Sequence, residues 1–536
     1  MKVSAGGPVD LEAAARAVAA DPDSLDLALV RSLAARFGRP SLVLGLATLV
    51  FHLAFNRGYG IFRDELYFIV CGQHPAWGYV DQPPLVPLLA AASYALFGDH
   101  LVGFRLVPAL VMSATVALTA EFARAVGGGR FAQWLCGLCV LAAPWYLAIG
   151  LLNTTDTFQP ITWLACAWFL VRLEQSGDER WWIPFGVTAG LSLLSKYLIG
   201  FYLGALAVGL LATPLRRSLL RPWVYLGALI AVLLVLPNIL WQRAHGWPFL
   251  ELGAAASHGK NLALSPAAFF AQQLILMGPL AAPVWIVGLL ACLRQPRLKV
   301  FAAFPVAYVI LFAFFIASHG KAYYLGSLYP ILLGVGAVRL EAWLQSLAWR
   351  RAALAAVAVA GLIFAPFAVP VLPERAYIRY AAALGMGPST LAAEHQRLGV
   401  LPQHFADQHG WREMAQEVAA VYRSLAPAER AKAVFFGRNY GEAAAIDIFG
   451  RKLGLPPAIA SHNNYWIWGP RGHDGSVMIM IGGDPEQYAA QFRSVEVAGR
   501  TDSPYAMPYE SDQPIYVLRG LKAPLAQLWP RIKHYE

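Results

Sequence analysis

A chain of 536 residues that is 58% hydrophobic and only 14% charged departs from soluble globular proteins, in which about 25% of residues are charged, and reads as a membrane protein. Its net charge of +10 does not argue for nucleic acid as a partner, because many of the Lys and Arg residues lie in short clusters between long apolar runs, where they act as topology signals. Five cysteines are too few for a disulfide framework, and Cys136 and Cys139, one helical turn apart in an apolar run, read as packing rather than a zinc or redox site.

In chain order, residues 1–39 are polar and amphipathic, and the apolar run that follows lacks a small-residue cleavage site, so it reads as a retained anchor. Apolar runs approaching the roughly 20 residues that span a bilayer predict about eleven membrane helices, at 41–56, 102–124, 131–150, 157–173, 181–196, 198–213, 222–241, 267–292, 300–317, 324–342 and 352–371. With a cytoplasmic N-terminus, every second connection carries a basic cluster: Arg36/Arg39, Arg124/Arg130, Arg172/Arg180, Arg216/Arg217/Arg221, Arg294/Arg297/Lys299 and Arg350/Arg351. That alternation satisfies the positive-inside rule. It places the connections 57–101, 151–156, 243–266 and 318–323 outside, together with everything from Pro373 onward.

The expected fold is therefore a polytopic α-helical membrane domain over 40–372, a cytoplasmic segment over 1–39, and an extracytoplasmic domain over 373–536. In the last of these, Ala433 to Phe436, Val477 to Ile481 and Ile515 to Leu518 read as strands, while Trp411 to Leu425 and Tyr440 to Lys452 have helical spacing, which makes a small α/β domain.

Chemistry concentrates on the outer side. Arg63-Asp64-Glu65-Leu66-Tyr67 and Gly78-Tyr79-Val80-Asp81-Gln82-Pro83-Pro84 share the first outer connection, where a carboxylate can serve as base for a hydroxyl nucleophile. The plainer readings are solvated loop acids at Asp64 and Glu65 and helix N-caps at Asp81 and Asp156. Lys196, followed by Tyr197, interrupts an apolar stretch where a charge is costly. Lys321, ahead of Tyr323 and Tyr324, sits at a membrane edge where an ammonium can pair with a lipid phosphate or snorkel to the headgroups. The histidines His52, His74, His245, His258 and His319 show no paired ligand spacing, so no metal site is expected.

Taken together, Asp64-Glu65, Tyr79-Val80-Asp81-Gln82-Pro83-Pro84-Leu85, Thr155-Asp156, Ser195-Lys196-Tyr197 and Lys321 before Tyr324-Leu325 resemble, in order, the bacterial relatives of dolichyl-phosphate-mannose protein mannosyltransferases, a family that includes aminoarabinose transferases acting on lipid A. Asn439-Tyr440-Gly441-Glu442 and Ser461-His462-Asn463-Asn464-Tyr465-Trp466 resemble the tail of a bacterial subgroup. Two departures are Gln82, where many relatives carry His or Lys, and Thr157-Phe158, where Ala-Pro is common.

The resemblance implies a C-type (GT-C) membrane glycosyltransferase that moves a sugar from a polyprenyl-phosphate donor to a hydroxyl of a glycan, lipid or protein, with inversion at the anomeric carbon. Membrane lipids are its surroundings and the plasma (inner) membrane its location. It implies Asp64 and Glu65 as the catalytic acids, with Arg63, Tyr79, Asp81, Asp156, Lys196, Tyr197, Lys321 and Tyr324 around the substrates. Whether a divalent cation assists is left open. The tail is expected to aid recognition rather than bond making. A transporter or flippase of a lipid-linked substrate is the rival reading, and it should show repeated halves meeting near the membrane midplane; no internal repeat is visible.

Overall fold

The computed structural model describes residues 38–256, 261–294, 299–390, 392 and 394–536. The expected cytoplasmic segment up to residue 37, with Arg36, and the positions of His258 and Arg297 lie outside the described residues.

Five described helices are long and apolar enough to cross a bilayer: Leu106–Ala125, Pro222–Ala244, Val300–Ala317, Ala322–Trp343 and Leu347–Phe367. Three helix pairs meet the same test but are bent, and the total reaches eight if each pair is one span. These helices make the chain a multi-pass membrane protein. The difference from the expected eleven has local causes. The run read as 131–150 bends by 64° between Ala142 and Pro144, since proline can start a helix but cannot continue one. The run read as 267–292 bends by 98° at Gly278, whose φ of 83° is followed by Pro279. Around Lys196 the chain leaves the helix Trp182–Leu193 and re-enters at Leu198–Leu211, so the first of these is only 12 residues long.

Close backbone approach ties the bundle together. Gly288 and Gly336 lie at one helix crossing, where a Cβ on either would run into the opposite backbone at Leu332 or Val284; small residues serve such crossings because hydrocarbon offers no hydrophobic drive between helices.

The connection expected as a loop over 57–101 is mostly helical, with helices Arg63–Gln73 and Leu85–Phe97. Glu65 starts the first by accepting the backbone N–H of Phe62 at 2.9 Å, and two acids in the first turn complement the helix dipole. Asp81 does not cap the second, whose N-cap is Pro84.

The C-terminal region carries a five-stranded sheet ordered β2-β1-β3-β5-β4, from β1 (Ala433–Gly437), β2 (Ile459–Ala460), β3 (Val477–Ile481), β4 (Phe492–Arg500) and β5 (Pro514–Leu521). β1 runs parallel to β2 and β3, pairing Val434 with Met478, and β3 runs antiparallel to β5, pairing Ile479 with Val517. The central strands β1 and β3 are buried along their whole length, which explains their unbroken apolar sequence. Helix Trp411–Ser424 buries Trp411, Met414, Ala415 and Val418, the spacing of one helical face.

Tyr67, Ile69 and Val70 of helix Arg63–Gln73 share one core with Val418, Phe435, Ala444 and Val517. The early connection is thus built into the C-terminal region, and this brings residues near 64 and near 440 together.

Candidate active site

Helix Arg63–Gln73 lies beside helix Tyr440–Ile448, and their N-terminal ends meet at Asp64. Tyr440 donates its hydroxyl hydrogen to Asp64 Oδ1 at 2.8 Å. The Asp64 side chain is 31% exposed, against 11% for Arg63 and 1% for Asp407, so of these three Asp64 is the one a substrate can reach. Arg63 donates from Nη1 to the Tyr509 hydroxyl at 2.9 Å, its Nη2 is 3.6 Å from Asp407 Oδ2, and its guanidinium lies 5.3 Å over the Tyr440 ring. Burial opposes the charge on Arg63, but Asp407 first, then Tyr440, Tyr509 and Asp64, outweigh it and hold the guanidinium protonated.

Glu65, the sequence neighbour of Asp64, faces the other way. It is fully buried, pairs with Arg105 through Nη2 at 2.6 Å and Nε at 2.9 Å, and also accepts the backbone N–H of Asn153 at 2.9 Å. Tyr79 is likewise buried, and its hydroxyl donates to the carbonyl of Cys71 at 2.7 Å. Where the resemblance implied places at the substrates, the structure sets both side chains inside the fold with their hydrogen-bond partners made, as a buried polar group requires.

Asp81 is half-buried and accepts from the Tyr67 hydroxyl at 3.1 Å and from Asn463 Nδ2 at 3.4 Å. Asn464 fastens the same turn by accepting the N–H of Val80 at 2.7 Å. Gln82, one of the two departures, is buried.

A second polar group forms where the membrane helices end. Lys196 Nζ donates to both oxygens of Asp156 at 2.7 Å, and it lies 4.9 Å from the Tyr324 ring and 5.8 Å from Tyr323. Asp156 is thus an ion-pair partner; the N-cap of the helix that follows is Phe158. Lys321 Nζ donates to Glu394 at 2.5 Å and sits 5.9 Å from the same Tyr323 ring. Tyr323 therefore has an ammonium on Lys196 and another on Lys321 within 6 Å of its centre, close enough for cation–π attraction. Tyr197 donates to Asn238 Oδ1 at 2.7 Å.

Asp407 links the two groups electrostatically. Burial pushes its carboxyl up to about 6 against the pull of Arg63, with Asp64 and Glu394 adding to the rise.

Tyr440, Asp407, Tyr509, Glu394 and Arg105 are the partners that sequence reasoning did not assign. Only Tyr440 carried a signal, as part of the Asn439-Tyr440-Gly441-Glu442 segment; the others are isolated polar residues in ordinary surroundings. Among the described residues, no group of three or more His, Cys, Asp or Glu side chains is arranged to hold a metal ion.

Comparison with known proteins shows what the chain is similar to in sequence and in fold. Residues 81–241 match the family described as dolichyl-phosphate-mannose-protein mannosyltransferase. The chain is 25% identical over 319 residues to the lipid A galacturonosyltransferase RgtD of Rhizobium johnstonii, covering 56% of this chain and 65% of that protein. It is 26% identical over 156 residues to the polyprenol-phosphate-mannose–protein mannosyltransferase of Corynebacterium glutamicum, covering 24% of this chain and 30% of that protein. The chain thus spans less than two thirds of the length of either relative. In fold it is similar to ArnT from Cupriavidus metallidurans bound to undecaprenyl phosphate, with a TM-score of 0.56 at 15% identity over 89% of this chain and 97% of that one. The apo form of the same protein gives 0.58. At that identity the likeness is one of fold.

Proposed function

Because the chain belongs to the dolichyl-phosphate-mannose protein mannosyltransferase-like family of C-type membrane glycosyltransferases, we propose that it moves a sugar from a polyprenyl-phosphate donor to an acceptor hydroxyl on the extracytoplasmic face of the membrane, with inversion. The observation that carries this reading is that the fold holds a reachable carboxylate, Asp64, and separately gathers two ammonium groups, Lys196 and Lys321, on one tyrosine, Tyr323.

In the step, Asp64 takes the proton of the acceptor hydroxyl as its oxygen bonds to the anomeric carbon. The bond from that carbon to the phosphate oxygen breaks, and the polyprenyl phosphate leaves with the electron pair. Cations near the departing phosphate lower the barrier because its charge grows in the transition state. Lys196 and Lys321 are suited to that task, and the carboxylates now on them, Asp156 and Glu394, hold the ammonium groups in position until a phosphate competes. The relative solved with undecaprenyl phosphate supports a long polyprenyl carrier.

The same proposal includes a cytoplasmic segment over 1–39, a membrane domain over 40–372 with about eleven crossings, short and bent ones included, and an outer domain over 373–536. The plasma (inner) membrane is its site.

The test is to incubate purified protein in lipid with a panel of labelled polyprenyl-phosphate sugars and a mixed acceptor extract, with and without a chelator. Consumption of one donor with release of polyprenyl phosphate is expected. Movement of intact donor across the bilayer without cleavage would replace the transferase reading with that of a flippase.

A further inference from the structure

The C-terminal helix Tyr440–Ile448 is aimed at Asp64 by a set of contacts that each need their residue type. Asn439 caps the helix by accepting the N–H of Glu442 at 2.9 Å. At Gly441 a Cβ would stand 2.5 Å from Arg63 Cγ, so only glycine lets the Arg63 stem lie along the helix and its guanidinium reach the Tyr440 ring. The Tyr440 ring is confined by Tyr67, with centroids 4.6 Å apart, and by His462 at 4.9 Å. With the ring confined in this way, its hydroxyl points to one oxygen of Asp64. Burial pushes that phenol well above its ordinary range, so it stays a donor. Arg63 cannot substitute for it, since its Nε is 3.6 Å from the same oxygen, beyond a normal hydrogen bond.

We infer that Tyr440 is a positioning residue for the transfer reaction: by donating to Asp64 Oδ1 it fixes the rotation of the carboxylate and leaves Oδ2 as the oxygen that takes the acceptor proton. The inference rests on the role proposed for Asp64 and extends it, because the base is then set by a residue of the C-terminal region. That revises the division in which the tail serves recognition only.

The test is Tyr440→Phe, which keeps the ring contacts with Tyr67, His462 and Arg63 and removes only the donor. A misaligned catalytic group commonly costs up to about 100-fold, so kcat is expected to fall roughly 10- to 100-fold with donor KM unchanged. Because Tyr440 acts through Asp64, adding Tyr440→Phe to Asp64→Asn should slow turnover no further. Wild-type kcat in Tyr440→Phe, or a loss that adds to that of Asp64→Asn, would overturn the inference while the base stands. Near-normal turnover in Asp64→Asn alone would instead remove the base, and the inference with it.

Discussion

Asp64 and Glu65 are adjacent acids with opposite surroundings. Successive residues on a helix point about 100° apart, so one carboxylate faces Tyr440 and solvent while the other enters the interior against Arg105. Two separable outcomes are expected. Asp64→Asn keeps the size and removes the base, and transfer should fall by about 10²- to 10⁴-fold while insertion and donor affinity persist; initial rates and donor binding in the same lipid measure this. Glu65→Gln breaks a fully buried ion pair, a change that typically costs about 3–5 kcal/mol because the remaining charge loses its partner. An exposed pair such as Arg180–Asp178 is screened by water and contributes far less. The Glu65 variant should therefore show a lowered unfolding temperature and a poor yield, with whatever protein folds retaining turnover. A stable Glu65→Gln protein with abolished turnover would return Glu65 to the chemistry.

The helices that carry these residues are held by their ends. At the start of helix Tyr440–Ile448, Glu442 accepts the N–H of Arg438 at 2.8 Å and the amide of Asn439 at 3.2 Å, a reciprocal arrangement with the Asn439 cap. Burial nevertheless pushes the Glu442 carboxyl from 4.5 up to about 7, with the Arg438 backbone bond and charge opposing the shift. A value raised by folding means that the fold favours the protonated form. This contribution to stability is complete below about pH 4.5 and is lost as the pH rises through about 7. Asp407, raised to about 6, adds a term of the same sign. The unfolding temperature in detergent, followed from acid to neutral pH, should show this decline as one component, and Glu442→Gln should make it shallower. A slope unchanged in the variant would mean that Glu442 titrates alike in the folded and unfolded chain.

The whole molecule is two regions fused through a shared core rather than a membrane bundle with an independent appendage. Tyr67 and Val70 pack with Phe435 and Val517, and Lys533 pairs with Glu251 at 2.7 Å, so the last residues of the chain touch a connection between membrane helices. If the basic clusters set the topology as proposed, a reporter fused after Glu536 should be active only when extracytoplasmic. Activity confined to the cytoplasm would invert the topology and put Asp64 on the wrong side for a carrier presented outside.

Composition and periodicity were enough to establish that the chain crosses a membrane repeatedly and that strands form near 433, 477 and 515, because apolar runs and period-two or helical patterns are local properties. β4 escaped that reading since it is largely exposed and polar, and within 57–101 only a helix after Asp81 was weighed, because the helix Arg63–Gln73 is buried against residues far along the chain. The ordered acids and lysines were legible as candidates. Their roles were not, because those depend on partners 40 residues away for Glu65, 73 for Lys321 and 376 for Asp64. A buried charge is stabilised only by a group brought to it, and which group arrives is decided by how the helices bend and dock, so the tertiary structure alone could separate the reachable carboxylate from the braced one.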